Sequence, residues 1–274
     1  MRGWLWGSWL VLHGSTGCFV ALDAPPSKSD ASADVQDGSP DVRDADASDA
    51  PRDVIEASLN SGCDGGGVSL AQSTYTSTRT DLSNSVVTPP LPLSAGDYVL
   101  VGVNYDGAPD GGCGRVQMIT DSLSDTYARL IAPDTHGAAL TLETWGARAI
   151  ASGPSNQATV VFAQACTSKN VKVVEYSGVG PSSSFTTASG HGGGDGGRAP
   201  SLTLTTIAPG LAFAHTADSR KATGAGAGWS EILYDLWDTL AEDRDVGSAG
   251  KVNVTYEAES DDVWVIQAVG LGCR

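Results

Sequence analysis

From residue 68 onward the chain reads as short apolar runs broken by Gly, Pro, Asp and Ser. "KVNVTYEAE" puts Val252, Val254 and Tyr256 on one side and Asn253 and Thr255 on the other. That period of two is the mark of a half-buried strand. "SLTLTTI" alternates through Leu202 and Leu204, and "ALTLETW" sets Leu140, Leu142 and Thr144 against Thr141, Glu143 and Trp145. Other runs are apolar on both sides. "GDYVLVGVNYDG" is apolar from Tyr98 to Val103, "NVKVVEYSG" carries Val171 and Val173 opposite Val174 and Tyr176, and "VWVIQAV" has no polar face. The last is what a central strand would show. The nearest approach to a helical stripe is 231–243, where mixed charge and Gly-rich flanks leave the type open. About ten short strands separated by turn signals predict an all-β domain over 67–274. The expected form is an antiparallel β-sandwich with jelly-roll-like topology.

The first 66 residues follow a different pattern. Met1-Arg2 is a positive start, Trp4 to Leu12 is apolar, and small residues follow. This is the layout of a secretory signal peptide over 1–17. The apolar stretch is about ten residues, against roughly 20 for a membrane-spanning helix. No charge falls between residues 3 and 22, so an uncleaved signal anchor remains an alternative. The stretch 18–66 is rich in Asp, Ala, Ser and Pro. Residues 23–66 carry 11 acidic against 3 basic side chains, half of the chain's net charge of -16. A segment so poor in apolar residues cannot offset its ordering entropy, and a disordered acidic linker is expected. As a flexible coil it spans about 35 Å, and more when like charges extend it. The acidic balance argues against nucleic acid as a partner, because phosphate binding needs a basic face.

Ser15-Thr16-Gly17-Cys18 resembles the lipobox of bacterial lipoproteins, although Ser15 stands where that family prefers an aliphatic residue. The resemblance implies that Cys18 is the mature N-terminus and carries acyl lipid. It implies a bilayer as partner. Phe19 after the cysteine points to the outer membrane rather than retention at the inner one. Ordinary cleavage with secretion is the alternative.

"VQMITDSLSDTYARL", "LETWGARAIASG", "VKVVEYSGV" and "AEDRDVGSAGKVNVTYEAESDDVWVIQAVGL" resemble a β-sandwich module of secreted bacterial proteins. Ser124-Asp125 stands where that module has a Gly-Asn turn. The resemblance implies a fold and an extracytoplasmic setting. It implies no activity and no catalytic residue.

Five cysteines fit that setting. Four of them, Cys63, Cys113, Cys166 and Cys273, bracket or lie within the β domain, and three connectivities are open to them. The expected one staples Cys63 to Cys273 across the domain ends and pairs Cys113 with Cys166. Closing a loop of about 50 residues stabilises by about 4 kcal/mol on the chain-entropy model. Cys18 is then the odd one, which agrees with lipidation.

Candidate chemistry is sparse. No G-x-S-x-G, H-E-x-x-H or P-loop pattern occurs. His191 and Asp195 sit in the loop "GHGGGDGGRAP", read as a strand connection with metal binding as the sharper alternative. His215 reads as a core-edge or solvent residue. Asp235, Asp238, Glu242 and Asp243 crowd one stretch. They are candidates for Ca2+ or, as paired carboxylates, for glycoside cleavage, against the plainer reading of a solvated loop. Trp229, Tyr234 and Trp237 in the same region are candidates for a sugar-stacking platform, against core packing. No cofactor is expected beyond that Ca2+ option.

The expectation is a non-catalytic, lipid-anchored envelope protein presenting a β-sandwich binding or adhesion module. Its partner would be an extracellular glycan or an envelope protein. The alternatives are a structural envelope component without ligand and a glycoside-cleaving enzyme on the same scaffold.

Overall fold

The computed structural model describes residues 63, 66–107, 112–137, 140–193, 200–219, 222–235, 239–258 and 263–274. Cys18, the signal segment, nearly all of the expected linker, Asp195, Trp237 and Asp238 lie outside them. Among the described residues the chain forms strands, one short 3-10 turn at Ser182–Ser184, and no α-helix. The first ten strands are β1 (Ser69–Thr78), β2 (Ser83–Val87), β3 (Leu91–Leu93), β4 (Tyr98–Asp106), β5 (Val116–Asp121), β6 (Ala128–His136), β7 (Leu140–Arg148), β8 (Gly153–Asn156), β9 (Ala158–Cys166) and β10 (Lys169–Ser177). Eight more follow: β11 (Thr186–Gly192), β12 (Ser201–Thr206), β13 (Gly210–Asp218), β14 (Ala222–Ala225), β15 (Ser230–Asp235), β16 (Thr239–Val246), β17 (Gly250–Ala258) and β18 (Trp264–Gly272). All pairings are antiparallel.

The expected sandwich is present, and it is present twice. A five-stranded sheet β1-β10-β4-β7-β6 is covered by β2-β9-β5, and a second sheet β11-β18-β13-β16-β15 is covered by β12-β17-β14. Once β3 and β8, which pair only with each other, are set aside, the two halves share one strand order. Counted within each half it is 1-8-3-6-5 over 2-7-4, a jelly roll whose fifth strand joins the larger sheet. The stretch 231–243, open between helix and strand by sequence, spans β15 and β16.

The two five-stranded sheets pack face to face, so four layers result. One core lies between β4, β7, β10 and the outer sheet, with Val101, Trp145, Val171, Val160 and Phe162. Another lies inside the second roll, with Ala214, Leu240, Ile266, Leu204 and Val254. The third joins the rolls through Leu100, Val174 and Tyr176 on one side and Phe213, Val269 and Leu271 on the other. Each inner sheet therefore loses solvent on both faces. All nine residues of β13 and of β18 are buried, which explains the runs without a polar face. In β17, on an outer layer, the alternation survives as buried Val252, Val254 and Tyr256 against exposed Asn253.

β4 lies over β13, β6 beside β11 and β1 near β15. An approximate twofold axis between β4 and β13 produces that arrangement. At its centre Gly102 faces His215, and a Cβ on Gly102 would stand 2.8 Å from His215 Nδ1. Glycine here lets the imidazole lie against the opposing strand. His215 is thus neither edge nor solvent residue; it is wholly buried between the rolls.

Polar groups on these faces are chained together. Thr144 Oγ1 donates to Gln267 Oε1 at 2.8 Å, so its oxygen accepts from His215 Nε2 at 2.8 Å. Gln267 Nε2 donates to the Ala132 and Leu142 carbonyls at 2.9 and 3.0 Å. Lys172 Nζ donates to Thr239 Oγ1 at 2.7 Å and Asn170 Oδ1 at 3.1 Å, and Asn170 donates to Asp235. Burial pulls the Lys172 amine down to about 8 against the pull of Asp235. Burial first, and then the Lys172 charge, push His215 down to about 3.

In the first roll, Glu143 is fully buried and fully engaged. It accepts from Tyr105 OH at 2.6 Å, the Val116 N–H at 2.9 Å and Trp145 Nε1 at 3.2 Å, and pairs with Arg129 Nε at 3.0 Å. The turn after β5 is held by Asp121, whose carboxylate accepts from the Leu123 and Asp125 N–H groups, Tyr127 OH and Asn156. Ser124 in that turn has φ 65°, the left-handed conformation that glycine adopts at less cost.

The disulfides join Cys63 to Cys273 and Cys113 to Cys166, the pairing expected from the place of Cys63 and Cys273 at the domain's two ends. The first ties the chain's entry to the end of β18, beside the β10–β11 connection, where Val179 bridges Cys273.

Gly102→Val is expected to destabilise the protein by about 1–3 kcal/mol, as overpacking does. Urea unfolding measures it, and a change under about 0.5 kcal/mol would show that the sheets do not meet this closely.

Candidate functional site

β4 runs from Tyr98, near the inter-roll connection, to Asp106 at the far pole. β13 runs the same way from Gly210 to Asp218. At that far pole the sheets part around a cavity of about 400 Å³, within the usual range for small-ligand sites. The first roll supplies most of its wall: Ser77 and Thr78 ending β1 with Arg79 just after them, Asn104 to Asp106 ending β4, His136, Leu140, and Ser168 to Asn170. The second roll supplies Asp218, Ser219 and Val263.

Several of these groups are committed to the scaffold. Lys169 Nζ donates to the carbonyls of Asp81, Ser83 and Cys166 at 3.0, 2.8 and 2.6 Å and to Ser83 Oγ at 2.9 Å. It pins the β1–β2 turn, and burial lowers its pKa. Tyr105 offers only its ring, since its hydroxyl is held by Glu143. Asp218 Oδ2 accepts from Tyr256 OH at 3.1 Å. Asn170 ties the cavity wall to the buried network, with Lys172 on its carbonyl and Asp235 on its amide. What faces the space is a set of short amide, carboxylate and hydroxyl groups around Tyr105, Leu140 and Val263.

The residues singled out from the sequence lie elsewhere. Glu242 and Asp243 are neighbours on β16 and so point to opposite faces. Glu242 enters the second roll's core, where Oε2 accepts the Gly226 N–H at 3.0 Å and Oε1 has no partner. Asp243 lies between the rolls against Tyr176 OH at 3.3 Å. Asp235 is turned toward Asn170 and the Thr239 N–H. These three are not a solvated loop, and they do not converge as a Ca2+ or glycosidase centre would require. Among the described residues no group of three or more His, Cys, Asp or Glu side chains gathers to hold a metal ion. Trp229 is buried with Nε1 donating to the Asn253 carbonyl at 3.1 Å, and Tyr234 is half-buried against the same core. Neither presents a ring face for stacking.

Asn104, Asp106, Asn170 and Asp218 went unread as cavity residues because each is an ordinary Asn or Asp in no motif. The available signal was their position, at the end of an apolar run: "VNYD" closing β4, "KNV" opening β10, "TAD" closing β13.

In comparisons with known proteins, the chain matches no family model, no curated protein and no solved structure.

Burial raises Glu242 to about 7 from an ordinary 4.5, and raises Asp243 to about 6. A folded value above the unfolded one means the fold favours the neutral acid. That stability is present below about pH 4.5 and is lost as pH rises through about 7. Glu242→Gln removes the ionisation. Its Tm relative to the parent is expected to climb as pH passes from acid to alkaline, and parallel Tm–pH curves would contradict the assignment.

Proposed function

We propose that the chain is a non-catalytic, lipid-anchored envelope protein whose double jelly roll is a binding module, with the polar cavity as its site and a glycan terminus as ligand. The observation that carries this reading is the cavity's place and lining. It lies at the pole opposite Cys63, where the tether joins. Nine-residue strands separate the two poles by about 30 Å. Asn104 and Asp106, half-buried at the end of β4, bring an amide and a carboxylate to the space, while Leu140, Val263 and the Tyr105 ring suit the C–H faces of a sugar. The acid cluster supports no glycosidase reading, since Glu242 and Asp243 diverge. Among the described residues no helix is long and apolar enough to cross a membrane, so attachment in this reading rests on Cys18.

A glycan array with the full-length mature chain tests the ligand class. Asn104→Ala is expected to weaken the best ligand about 5- to 100-fold, the range for losing a buried hydrogen-bond partner. Equal binding by the variant, or no glycan bound at all, counts against the cavity reading. Separately, Cys18→Ser is expected to move the protein from the membrane to the soluble fraction and to remove the acyl mass. Unchanged fractionation and processing would remove the lipid anchor from the proposal.

A further inference from the structure

Along one side of the molecule the edge strands β6 and β11, from different rolls, run side by side without pairing. Side chains bridge that seam. His191 Nδ1 lies 2.7 Å from Asp134 Oδ1, and Ser189 Oγ donates to the other oxygen of the same carboxylate. His136, at the cavity rim, stacks on His191 with ring centroids 4.5 Å apart and planes at 21°.

Two imidazoles side by side are borderline nitrogen donors, the preference of Cu2+, Ni2+ and Zn2+ rather than Ca2+. A metal-binding histidine usually gives its other ring N–H to a carboxylate, which fixes the tautomer and raises ligand basicity. Asp134 does this for His191. With Nδ1–H held, the lone pair falls on Nε2, and the Ser189 hydroxyl steadies the carboxylate in turn. Among the described residues no hydrogen bond holds the His136 ring, and the His191 side chain is 46% exposed. Both rings can therefore tilt out of the stack. Bond lengths of about 2.0–2.1 Å to each nitrogen then require the two to approach to about 3.3 Å.

We propose that His136 and His191 form a two-imidazole site for a late first-row divalent cation, with Asp134 as the positioning carboxylate and water completing the coordination. The site needs only two protein donors to the metal, so it is compatible with the absence of a three-residue cluster among the described residues. It joins one roll to the other across an unpaired seam. A bound ion thus stabilises the folded pair of rolls by mass action. His136 also lines the cavity, but the metal site does not rest on the glycan reading, and its test involves no sugar.

Calorimetric titration of the full-length chain with Cu2+ and with Zn2+ is the experiment. One ion per chain is expected, with Cu2+ held more tightly than Zn2+, together with a rise in Tm. His191→Ala is expected to lose at least about ten-fold in affinity, and Asp134→Asn about 10- to 100-fold, as loss of an orienting carboxylate does. His136→Gln, on the other strand, reads the same site should His191→Ala fail to fold. No binding by the parent chain, or unchanged affinity in the folded variants, overturns the proposal.

Discussion

Everything else in the fold depends on the burial of both faces of two five-stranded sheets. A sheet with one face in water can carry polar groups on the wet side. These two cannot, and their polar side chains must be satisfied from within. The chains His215–Thr144–Gln267 and Lys172–Asn170–Asp235 are the response. Each crosses from one roll to the other, so each fixes the lateral position of one sheet over its neighbour. Apolar packing alone, through Leu100, Phe213 and Val269, would tolerate sliding. Hydrogen bonds of 2.7–3.1 Å do not.

The same constraint separates two of the buried glutamates, Glu143 and Glu242. Glu143 has four partners, among them the Arg129 guanidinium, which stacks 4.8 Å over Trp145. Both of its oxygens are engaged. Glu242 has one backbone donor and a bare oxygen, and it is driven toward the neutral acid. Burial is total in both cases, so the difference lies in the partners and not in the depth.

Strand identity and face were legible because each is local, and the cysteine pairing because Cys63 and Cys273 stand at the two ends of the domain. Val252, Val254 and Tyr256 declare one buried face by alternation, and "VWVIQAV" declares two. The expectation stopped at one sandwich, and the second sandwich behind it accounts for the run that is apolar on both faces. The duplication itself was not legible. β4 reads YVLVGVNYD and β13 reads GLAFAHTAD, which share apolar alternation and little else. Equivalence lives in strand order, and strand order is decided by long-range pairing that no local pattern encodes. His215 was misread for the same reason. A histidine among alanines resembles an edge position until Gly102 on another strand, 113 residues away, is seen to make room for it. Trp229 and Tyr234 were open between a stacking platform and core packing, and the second holds, Trp229 buried and Tyr234 half-buried against the second roll's core.

Why the cavity lies at one pole follows from the connections. At the near pole the β10–β11 segment passes between the rolls, Cys273 is tied to Cys63, and Arg148 donates to the carbonyls of Gly96, Val179 and Gly180. Chain and guanidinium fill that end. At the far pole the described part of the interface has only strand ends, and there the buried faces give way from Tyr176 and Phe213 to the smaller Ala217, Val265 and Leu142. Tapering side chains leave room between sheets that are held in register farther back. The polar residues that end each apolar run, Asn104, Asn170 and Asp218, then line that room instead of facing bulk water. The cavity is therefore a consequence of joining two jelly rolls face to face at one end, and neither roll alone would enclose it.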